Sequence, residues 1–352
     1  MRKRIYIAYT GGTIGMGSTE HGYEPRPGYL QELMDTIPEL RRPEMPEYVL
    51  NEYSPLLDSS NMRPADWLRI GADIADNYAE FDGFIVLHGT DTMAYSASAL
   101  AFMLEGLDKP VVFTGSQIPL SEIRNDAREN LITSMLLIAQ YPVPEVCLCF
   151  GSRLLRGCRA KKMDAGGFDA FDSPNFPHLG QMGIDISVRR DLVLWPGEQE
   201  FRLNVQRFGK VGVASLRLFP GISPVILDNI LKEPLQGLVL ESYGSGNGPS
   251  KDKEFLQVLS RATERGVVLV NCTQCVRGTV RGDYEAGLAM KQAGVVSGLD
   301  MTAEAALSKL YCLLQRGFSP PEIRDLVQKN LRGELTSMET GPLTSALDQL
   351  GR

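Results

Sequence analysis

Residues 5–15 read IYIAYTGGTIG, a short apolar run that leads directly into a loop of glycines and threonines. Apolar runs of this length that are rich in β-branched and aromatic residues predict buried strands. The same arrangement returns at residues 84–92, FIVLHGTDT, and at 111–117, VVFTGSQ, and a further apolar run lies at 146–150. Patterns typical of helices separate these runs, at residues 64–78, 94–107 and 126–140. This alternation predicts β-α-β units and therefore a doubly wound, mostly parallel α/β sheet.

The alternation continues in the second half of the chain after an interruption at residues 187–207, which carry many charges and show no clear period. We interpret these residues as a linker between an N-terminal catalytic domain, residues 1–186, and a C-terminal domain, residues 208–352. Beyond the linker, the sequence predicts strands at 211–218, 237–240 and 267–270 and helices at 252–265, 302–314 and 320–329. The prediction is thus two α/β domains, a larger N-terminal one with a doubly wound, mostly parallel sheet and a smaller C-terminal parallel one. We expect the tail, residues 338–352, to be loosely attached.

Charge and hydropathy exclude several classes of protein. The 352 residues carry a net charge of −7 with acidic and basic residues interspersed, and no basic run marks a nucleic-acid surface. The apolar run at 5–9 is shorter than the roughly 7–15 residues of a signal peptide's hydrophobic region, so we interpret it as a first strand. No stretch approaches the roughly 18 apolar residues of a membrane-spanning helix. We therefore expect a cytoplasmic protein without a membrane or nucleic-acid partner.

The six cysteines do not form a clear metal-binding or disulfide pattern. Only Cys272 and Cys275 are spaced as C-x-x-C, and the chain has just three histidines that could complete a zinc site of about four ligands. We expect most cysteines to be small buried residues in a reducing cytosol, with a redox or metal role as the alternative. The sequence thus predicts no metal and no cofactor.

The three glycine-rich loops are expected to lie at one edge of the N-terminal sheet. In open parallel sheets, ligands bind beyond the carboxyl ends of the strands, near the switch in strand order. Glycine allows the backbone to approach a ligand closely, and the adjoining hydroxyl groups supply hydrogen bonds and nucleophiles. We therefore predict a single small-molecule site built from residues 10–15, 88–92 and 114–117.

These loops do not match the common nucleotide-binding or hydrolase patterns. A Walker-type phosphate loop needs Gly-Lys-Ser/Thr, which does not occur in the sequence. A dinucleotide-binding loop opens directly into a helix, whereas residues 24–28, EPRPG, prevent a regular helix soon after the first loop. A Ser-His-Asp hydrolase is disfavoured because the chain has no G-x-S-x-G motif. We interpret His88 as a packed, hydrogen-bonded residue rather than a catalytic base.

The loops offer threonine hydroxyls and an aspartate, and a lysine pair lies further along the chain. A threonine hydroxyl is a poor nucleophile until another group accepts its proton. A lysine can accept it when desolvation in a closed pocket favours the neutral amine. Thr90, Asp91 and a lysine could form such a proton relay, and Thr13 and Thr90 are the candidate reactive threonines. We interpret the remaining loop threonines as turn or cap residues: Thr10, Thr92 and Thr114.

Two of the loops carry sequences that resemble the signature motifs of a known enzyme family. Residues 10–15, TGGTIG, and 88–93, HGTDTM, are similar to the two signatures of the bacterial-type L-asparaginases, and the cytoplasmic type I branch fits best. The likeness extends over essentially the whole chain. Other segments similar to that branch are 58–60 (DSS), 114–119 (TGSQIP), 156–168, 242–247 (SYGSGN) and 330–334 (NLRGE). The resemblance implies hydrolysis of L-asparagine to aspartate and ammonia without a cofactor or metal.

The resemblance also implies roles for individual residues in catalysis. Thr13 matches the nucleophilic threonine that forms the acyl-enzyme, and Tyr23 matches a tyrosine on the mobile flap over the site. Thr90, Asp91 and Lys162 match a second triad that transfers protons. These five residues are the predicted catalytic set.

Substrate-binding residues are implied in the same way. Asp58, Ser59 and Ser60 match the loop that holds the α-amino and α-carboxylate groups of the substrate, and Ser116 lines the pocket. Asn247 matches a residue that family members contribute from a neighbouring subunit. We therefore expect a homodimer or homotetramer with sites at subunit interfaces. The full predicted substrate-binding set is Asp58, Ser59, Ser60, Thr90, Asp91, Ser116 and Asn247.

The chain departs from the family pattern beside the relay lysine. Lys161 stands where threonine is common, so the register of the two lysines has to be decided. Counting forward from the Arg-Gly pair at 156–157 and back from the Gly-Phe pair at 167–168 selects Lys162 in both cases. Cys158, where asparagine is usual, is a second departure.

A further departure concerns regulation. Some type I relatives bind a second asparagine through an arginine at the position of Glu241 and a threonine at the position of Lys161. An arginine holds a carboxylate with two charge-assisted hydrogen bonds, whereas Glu241 offers only acceptors and a like charge. We therefore expect a hyperbolic rather than sigmoidal dependence of the rate on asparagine concentration.

Three alternative functions stay open at this point. The first is a glutaminase-asparaginase of broad specificity, because one extra methylene changes pocket fit by only about 1–3 kcal/mol. The second is the ammonia-producing subunit of a tRNA-dependent amidotransferase, although such subunits carry an extra domain before a motif that begins here at residue 10. The third is a catalytically inactive binding protein, which would not need to keep both reactive threonines and the relay.

Overall fold

The computed structural model describes residues 2–20, 22–197, 199–204, 211–282 and 285–336. The chain divides into two compact units, residues 1–204 and residues 205–352. The predicted tail lies outside the described residues, as do the last three residues of the predicted linker. Within the part of the chain that the structure describes, no helix is long and apolar enough to cross a membrane.

The first unit alternates strands and helices, because its apolar runs form buried strands and its amphipathic stretches form the helices that cover them. Its strands are β1 (Arg4–Gly11), β2 (Met16–Thr19), β3 (Gly22–Pro25), β4 (Glu47–Leu57), β5 (Gly83–Leu87), β6 (Leu104–Glu105), β7 (Val111–Thr114), β8 (Val146–Phe150), β9 (Arg153–Arg156), β10 (Lys161–Lys162), β11 (Phe171–Asp172), β12 (Gly180–Met182), β13 (Ile186–Val188) and β14 (Arg202–Leu203). Its helices are α1 (Tyr29–Asp35), α2 (Pro64–Asn77), α3 (Met93–Met103) and α4 (Ala127–Gln140).

An eight-stranded sheet forms the centre of this unit, with the order β13-β12-β9-β8-β7-β5-β1-β4. Five neighbouring strands of this sheet, β4, β1, β5, β7 and β8, are parallel. Beyond β8, the strands β9, β12 and β13 continue the sheet in antiparallel pairs. In register, Ile7 of β1 lies opposite Ile85 of β5. Both faces of these central strands are covered, so β5, β7 and β8 are buried at every position. The predicted larger, mostly parallel α/β sheet is confirmed.

Two elements of the first unit differ from the sequence prediction. The long strand β4 was not predicted, because its residues are only partly buried and include charges and Pro55, which suits an edge strand without an apolar run. The second predicted helix, 94–107, is wrong at its end: α3 stops at Met103 and the chain continues into β6. Apolar residues continue past that point, so periodicity alone does not mark the change.

Much of the predicted linker lies within the fold of the first unit. Residues 186–188 form β13 against β12, and β14 pairs with β6. The buried Glu105 of β6 accepts hydrogen bonds from Arg202 and from Asn204, both at 2.9 Å. The domain boundaries of the sequence analysis, 1–186 and 208–352 with a linker between them, stay a prediction.

Most cysteines are small buried residues, as predicted. Five of the six are buried and Cys275 is exposed, and all six are free thiols. Cys147 and Cys149 are two residues apart on β8, so they face the same side of the sheet, and both contribute to the apolar core of the first unit. Burial raises the pKa of the Cys149 thiol to about 12, so this thiol stays protonated at neutral pH.

The second unit is a smaller parallel α/β fold, which confirms the second part of the fold prediction. Its strands, in sheet order, are β15 (Gly212–Arg217), β16 (Leu235–Ser242), β17 (Val268–Thr273) and β18 (Val296–Ser297). All three pairings are parallel. Its helices are α5 (Pro224–Ile230), α6 (Lys253–Glu264), α7 (Glu285–Gln292), α8 (Ala303–Gln315) and α9 (Pro320–Val327).

A buried ion pair closes the second unit at the NLRGE segment. Lys309 of α8 and Glu334 are both 0% exposed and form a salt bridge. The ammonium of Lys309 also donates to the carbonyl of Val327, and the Glu334 carboxylate accepts from the backbone N–H groups of Leu331 and Arg332. Charges this deeply buried are tolerated only when paired and hydrogen-bonded. This segment therefore has a structural role in fastening the chain to α8.

Candidate active site

The loops that the sequence singles out meet at one edge of the large sheet. The strands β4, β1, β5 and β7 are neighbours and run parallel, so their carboxyl ends share that edge. After β1, the next strand that the chain adds to this sheet is β4, on one side of β1, and the strand after that is β5, on the other side of β1. This reversal is the switch point of the sheet, where open α/β folds bind their ligands. Thr13 follows β1 and Thr90 follows β5, so the two candidate threonines flank the switch point.

Glycines bring three of these loops into contact. Gly12 has a φ of 93°, and a Cβ atom there would lie 2.5 Å from the backbone nitrogen of Gly89. A Cβ atom on Gly89 would in turn lie 2.4 Å from the Oγ of Ser59. Any larger side chain at either glycine would push the loops apart. The loops after β1 and β5 therefore meet backbone to backbone, and the Ser59 side chain of the loop after β4 packs against Gly89.

Two of the loop threonines have the structural role that the sequence analysis assigned to them. The Thr10 hydroxyl donates to the carbonyl of Leu87 at 2.8 Å. The Thr92 hydroxyl donates to the carbonyl of Ser59 at 2.8 Å. Both bonds tie neighbouring loops of the edge together, and neither leaves a hydroxyl proton for chemistry. Thr114 is buried, and its hydroxyl has no partner among the described residues.

A lysine, a threonine and an aspartate form one hydrogen-bonded group at this edge. The ammonium nitrogen of Lys162 lies 2.8 Å from the Thr90 hydroxyl and 2.8 Å from a carboxylate oxygen of Asp91. Thr90 is buried, the Lys162 side chain is 21% exposed, and the Asp91 side chain is 63% exposed. The group therefore presents a carboxylate to solvent and keeps the hydroxyl–amine contact largely shielded from it. This is the arrangement that a proton relay needs.

Gln117 completes this group, and the sequence analysis included it only in the predicted loop 114–117, without a role of its own. Its side-chain oxygen accepts a hydrogen bond from the Thr90 hydroxyl at 3.2 Å, and its side-chain nitrogen donates to the carbonyl of Gly167 at 3.1 Å. The Thr90 hydroxyl thus donates to Gln117 and accepts from Lys162. The available signal was its position in the polar loop directly after β7.

Thr13 occupies a short turn that directly precedes a β-hairpin. It begins a 3₁₀ turn, Thr13–Gly15, directly after the Gly12 backbone reversal, and is half-buried. The hairpin of β2 and β3 follows, with Tyr23 opposite Ser18 and 49% exposed. A hydrogen bond to Glu122 raises the pKa of the Tyr23 hydroxyl, so the hydroxyl stays protonated at neutral pH.

The loop after β4 presents a carboxylate and two hydroxyls. The Asp58 carboxylate accepts from the backbone N–H of Ser60 at 3.1 Å and from the side chain of Asn61 at 3.0 Å. Hydrogen bonds from the Ser60 hydroxyl and backbone hold the pKa of Asp58 below its usual value. Asp58 and Ser60 are exposed, whereas Ser59 is buried beside Gly89. This loop carries a fixed negative charge at neutral pH.

His88 and Ser116 lie deeper in the same edge. The His88 ring is buried, and its Nδ1 lies 2.7 Å from the carbonyl of Gly89. Burial lowers the pKa of His88 to about 4, so the ring is neutral at pH 7 and donates from Nδ1. His88 is therefore the packed, hydrogen-bonded residue that the sequence predicts. Ser116 is 1% exposed, and its hydroxyl has no partner among the described residues.

Asn247 belongs to the second unit and ends a tight turn after β16. Backbone hydrogen bonds join Tyr243 and Asn247 in both directions, at 2.9 and 2.8 Å. The side-chain oxygen of Asn247 is buried and has no partner among the described residues. The turn therefore presents an amide whose acceptor is unused within the described residues. Glu241, which lies in the same unit, accepts a hydrogen bond from the Ser215 hydroxyl at 3.2 Å.

A polar site at the switch point of a parallel α/β sheet is typical of enzymes that act on small molecules. Two family models match the chain: the N-terminal asparaginase model over residues 4–194 and the C-terminal glutaminase/asparaginase domain over residues 212–327. The chain therefore belongs to the asparaginase family and is an amidohydrolase, which confirms the resemblance stated from the motifs.

Individual relatives are similar to this protein over nearly the whole of its chain. The chain is 50% identical to L-asparaginase 1 of Escherichia coli strain K12, over 95% of this chain and 98% of that protein. It is 44% identical to the 60 kDa lysophospholipase of Mus musculus, over 97% of this chain and 64% of that protein. Its fold is similar to the crystal structure of L-asparaginase I from Vibrio cholerae, with a TM-score of 0.89 and 46% identity over 96% of this chain and 100% of that one.

Proposed function

We propose that this protein is a cytoplasmic, cofactor-independent L-asparaginase that hydrolyses the side-chain amide of L-asparagine to L-aspartate and ammonia. The observation that carries the proposal is the contact of the Lys162 nitrogen with the Thr90 hydroxyl and the Asp91 carboxylate, each at 2.8 Å. This group stands at the sheet edge where the Thr13 loop packs against the loop of Gly89. The names of the relatives from Escherichia coli and Vibrio cholerae support the same substrate.

The reaction proceeds in two steps through an ester on Thr13. In the first, the Thr13 oxygen bonds to the amide carbon, the carbon–nitrogen bond breaks, and ammonia leaves with the proton that the hydroxyl gave up. In the second, a water oxygen bonds to the same carbon, the ester bond breaks, and Thr13 regains a proton from the water. Thr90 and Lys162 move protons in both steps, since a hydroxyl nucleophile is weak until its proton is accepted. Backbone N–H groups of the glycine loops stabilise the negative charge that develops on the carbonyl oxygen.

The charges of the site suit an amino acid in its zwitterionic form. Asp58 and Asp91 supply negative charge for the α-ammonium group, and the Ser59 hydroxyl supplies a donor for the α-carboxylate. The Ser60 hydroxyl donates to Asp58 and so holds that carboxylate in place for the α-ammonium group. Ser116 contributes to the pocket beside the amide. Closure of the hairpin that bears Tyr23 excludes bulk water while the ester forms.

Ammonia release from the two amino-acid amides tests this function directly. We expect the purified protein to release ammonia and aspartate in equal amounts from L-asparagine, measured in a coupled ammonia assay. With L-glutamine, the extra methylene is expected to lower kcat/KM by about 10- to 200-fold. Similar values for both substrates would identify the broad glutaminase-asparaginase instead. Absence of ammonia from both would contradict the proposed function.

We also propose that the active enzyme is a homodimer or homotetramer and that Asn247 serves the site of a neighbouring subunit. The support is the side-chain oxygen of Asn247 on a short turn, which is buried without a partner in the part of the chain that the structure describes, since such polar atoms usually find one. Asn247→Ala is expected to lower kcat/KM by at least about tenfold, in line with a lost hydrogen bond to a charged group. The fold, followed by thermal unfolding, should not change. A fully active monomer in analytical ultracentrifugation at assay concentration would refute this proposal.

The substrate dependence of the rate is expected to be hyperbolic, with a Hill coefficient near one. The reason is Glu241, an acceptor-only side chain that hydrogen-bonds to Ser215 and cannot clamp the carboxylate of a second asparagine. An effector coupling of the usual size, about 1–3 kcal/mol, would then lack its main contact. Initial rates over a wide range of asparagine concentration provide the measurement. Sigmoidal kinetics would show that other contacts hold an effector.

A further inference from the structure

A polar pair at the start of α4 lies next to the relay and has no part in the proposed reaction. Asp126 and Asn130 are 7% and 1% exposed. An aspartate at this position usually caps its own helix, but the Asp126 side chain makes no cap hydrogen bond to α4. Its oxygens instead accept from the backbone N–H of Gln117, at 3.1 and 3.0 Å, and from that of Ile118 at 3.1 Å.

Asn130 binds the other side of the same loop. Its side-chain nitrogen donates to the carbonyl of Gly115 at 2.9 Å and to Asp126 at 3.2 Å. Its side-chain oxygen accepts from the backbone N–H of Gly151, in the turn after β8, at 3.0 Å. The amide of Asn130 therefore uses both its donor and its acceptor to fasten loops. The Asp126–Asn130 pair holds residues 115–118 from both ends.

We propose that Asp126 and Asn130 are positioning residues for the proton relay and that they act through Gln117. The inference rests on the proposed function. The side chain of Gln117 reaches the Thr90 hydroxyl at 3.2 Å only while the backbone at residue 117 keeps its place. A threonine hydroxyl has a single proton, and its donation to Gln117 leaves a lone pair facing the nitrogen of Lys162, 2.8 Å away. The pair thus sets the direction of the Thr90 hydroxyl from outside the site.

The use of a buried carboxylate at Asp126 indicates that the position of this loop has to be held firmly. A nearly buried anion loses hydration, and this loss is offset only when the anion accepts several good hydrogen bonds. Asp126 obtains them from the backbone of the loop and from the Asn130 side chain rather than from the backbone N–H groups of its own helix. The backbone N–H groups of Gln117 and Ile118 therefore make charge-assisted hydrogen bonds, which are stronger than those between neutral groups. Gln117 is the residue whose side chain accepts from Thr90.

A double-mutant cycle in the full-length protein tests this inference. Asp126→Asn keeps the shape of the side chain but turns an acceptor oxygen into an NH₂ group that faces backbone donors. We expect it to lower kcat roughly tenfold, as small misplacements of reacting groups do, with KM changed by less than about twofold. Gln117→Ala is expected to lower kcat at least as much. If Asp126 acts through Gln117, the double variant should have the kcat of Gln117→Ala alone.

Asp252→Asn is the matched control. Asp252 also stands at the start of a helix and accepts from the backbone N–H of Phe255 at 3.0 Å, but it belongs to α6 of the second unit. The same chemical change there is expected to lower stability slightly and to leave kcat unchanged. Multiplicative losses of kcat in the double variant would overturn the inference, because Asp126 would then act independently of Gln117. A rise in KM at constant kcat would also overturn it and would assign the effect to the Ser116 pocket.

Backbone hydrogen exchange gives a readout that does not depend on activity. We expect the amides of Gln117 and Ile118 to exchange at least about tenfold faster in Asp126→Asn than in the unchanged protein, since they lose a charged acceptor. Unchanged exchange would overturn the inference even if the variant were less active. If the unchanged protein released no ammonia from either amino acid, the proposed function would fail, while the exchange result would still decide whether Asp126 holds the loop.

Discussion

Thr13→Val is expected to lower kcat for asparagine by at least about 1,000-fold, because it removes the hydroxyl oxygen that we propose forms the acyl-enzyme. Valine is close to threonine in shape, so the turn after β1 and the packing of Gly12 on Gly89 should be kept. Binding of the product aspartate, followed by calorimetry, should therefore change by no more than about threefold, the effect of roughly one weak hydrogen bond. Rapid acid quenching during turnover and peptide mapping by mass spectrometry should locate the acyl group on Thr13.

Thr36→Val provides the control for this substitution. Thr36 is an exposed residue at the end of α1, where its hydroxyl donates to the carbonyl of Leu33, and its replacement should leave kcat unchanged. An acyl group mapped to Thr90 would reverse the proposed roles of the two threonines. Turnover retained in Thr13→Val would contradict a nucleophilic role for Thr13 altogether.

Lys162→Met is expected to lower kcat by at least about 100-fold, the range seen when a general base is lost. Methionine keeps most of the length of the side chain but cannot exchange protons with Thr90 or pair with Asp91. The main loss should appear in kcat, because the contact of the lysine with the Thr90 hydroxyl is lost. A smaller change in KM is expected from loss of the ion pair with Asp91, a proposed ligand of the α-ammonium group. Steady-state rates across pH 5 to 9 measure both constants.

Lys161→Met is the matched control for the register of the two lysines. Successive side chains of a strand point to opposite faces, so Lys161 and Lys162 of β10 cannot both face Thr90. We expect kcat of Lys161→Met to stay within about threefold of the unchanged protein, as for surface substitutions away from the reacting groups. Equal losses from the two variants would show that the relay does not depend on Lys162 alone.

Much of the fold could be predicted because its central strands have a clear local sequence pattern. Residues 84–87 and 146–150 are continuous apolar runs, and burial on both faces of a parallel sheet demands just such runs. The edge strand β4 carries no comparable signal, because one side of it faces solvent. The end of α3 was predicted four residues too late, since apolar residues continue from the helix into β6. Local patterns report burial well and the boundaries between elements poorly.

The residues of the candidate site also differ in how much of a local signal they carry in the sequence. Thr13, Thr90 and Asp91 could be proposed as site residues from the local sequence, because glycine-rich loops after parallel strands are short and carry a distinctive composition. Lys162 depended on a resemblance to a family, since nothing in the local sequence distinguishes it from Lys161. Gln117 was missed as a member of the relay group. A glutamine in a polar loop has no local signature of the partner that it will bind.

The sequence by itself determined the class of fold, the edge of the sheet where chemistry gathers, and the residue types available there. These properties follow from short-range patterns of apolar residues and glycine. Only the tertiary structure decided that Lys162 meets Thr90 and Asp91, that Gln117 turns toward Thr90, and that Asp126 serves a loop rather than its own helix. Each of these contacts joins residues that are distant in the chain or turns a side chain away from its local partners. Such contacts depend on strand order and close packing, which no short stretch of sequence contains.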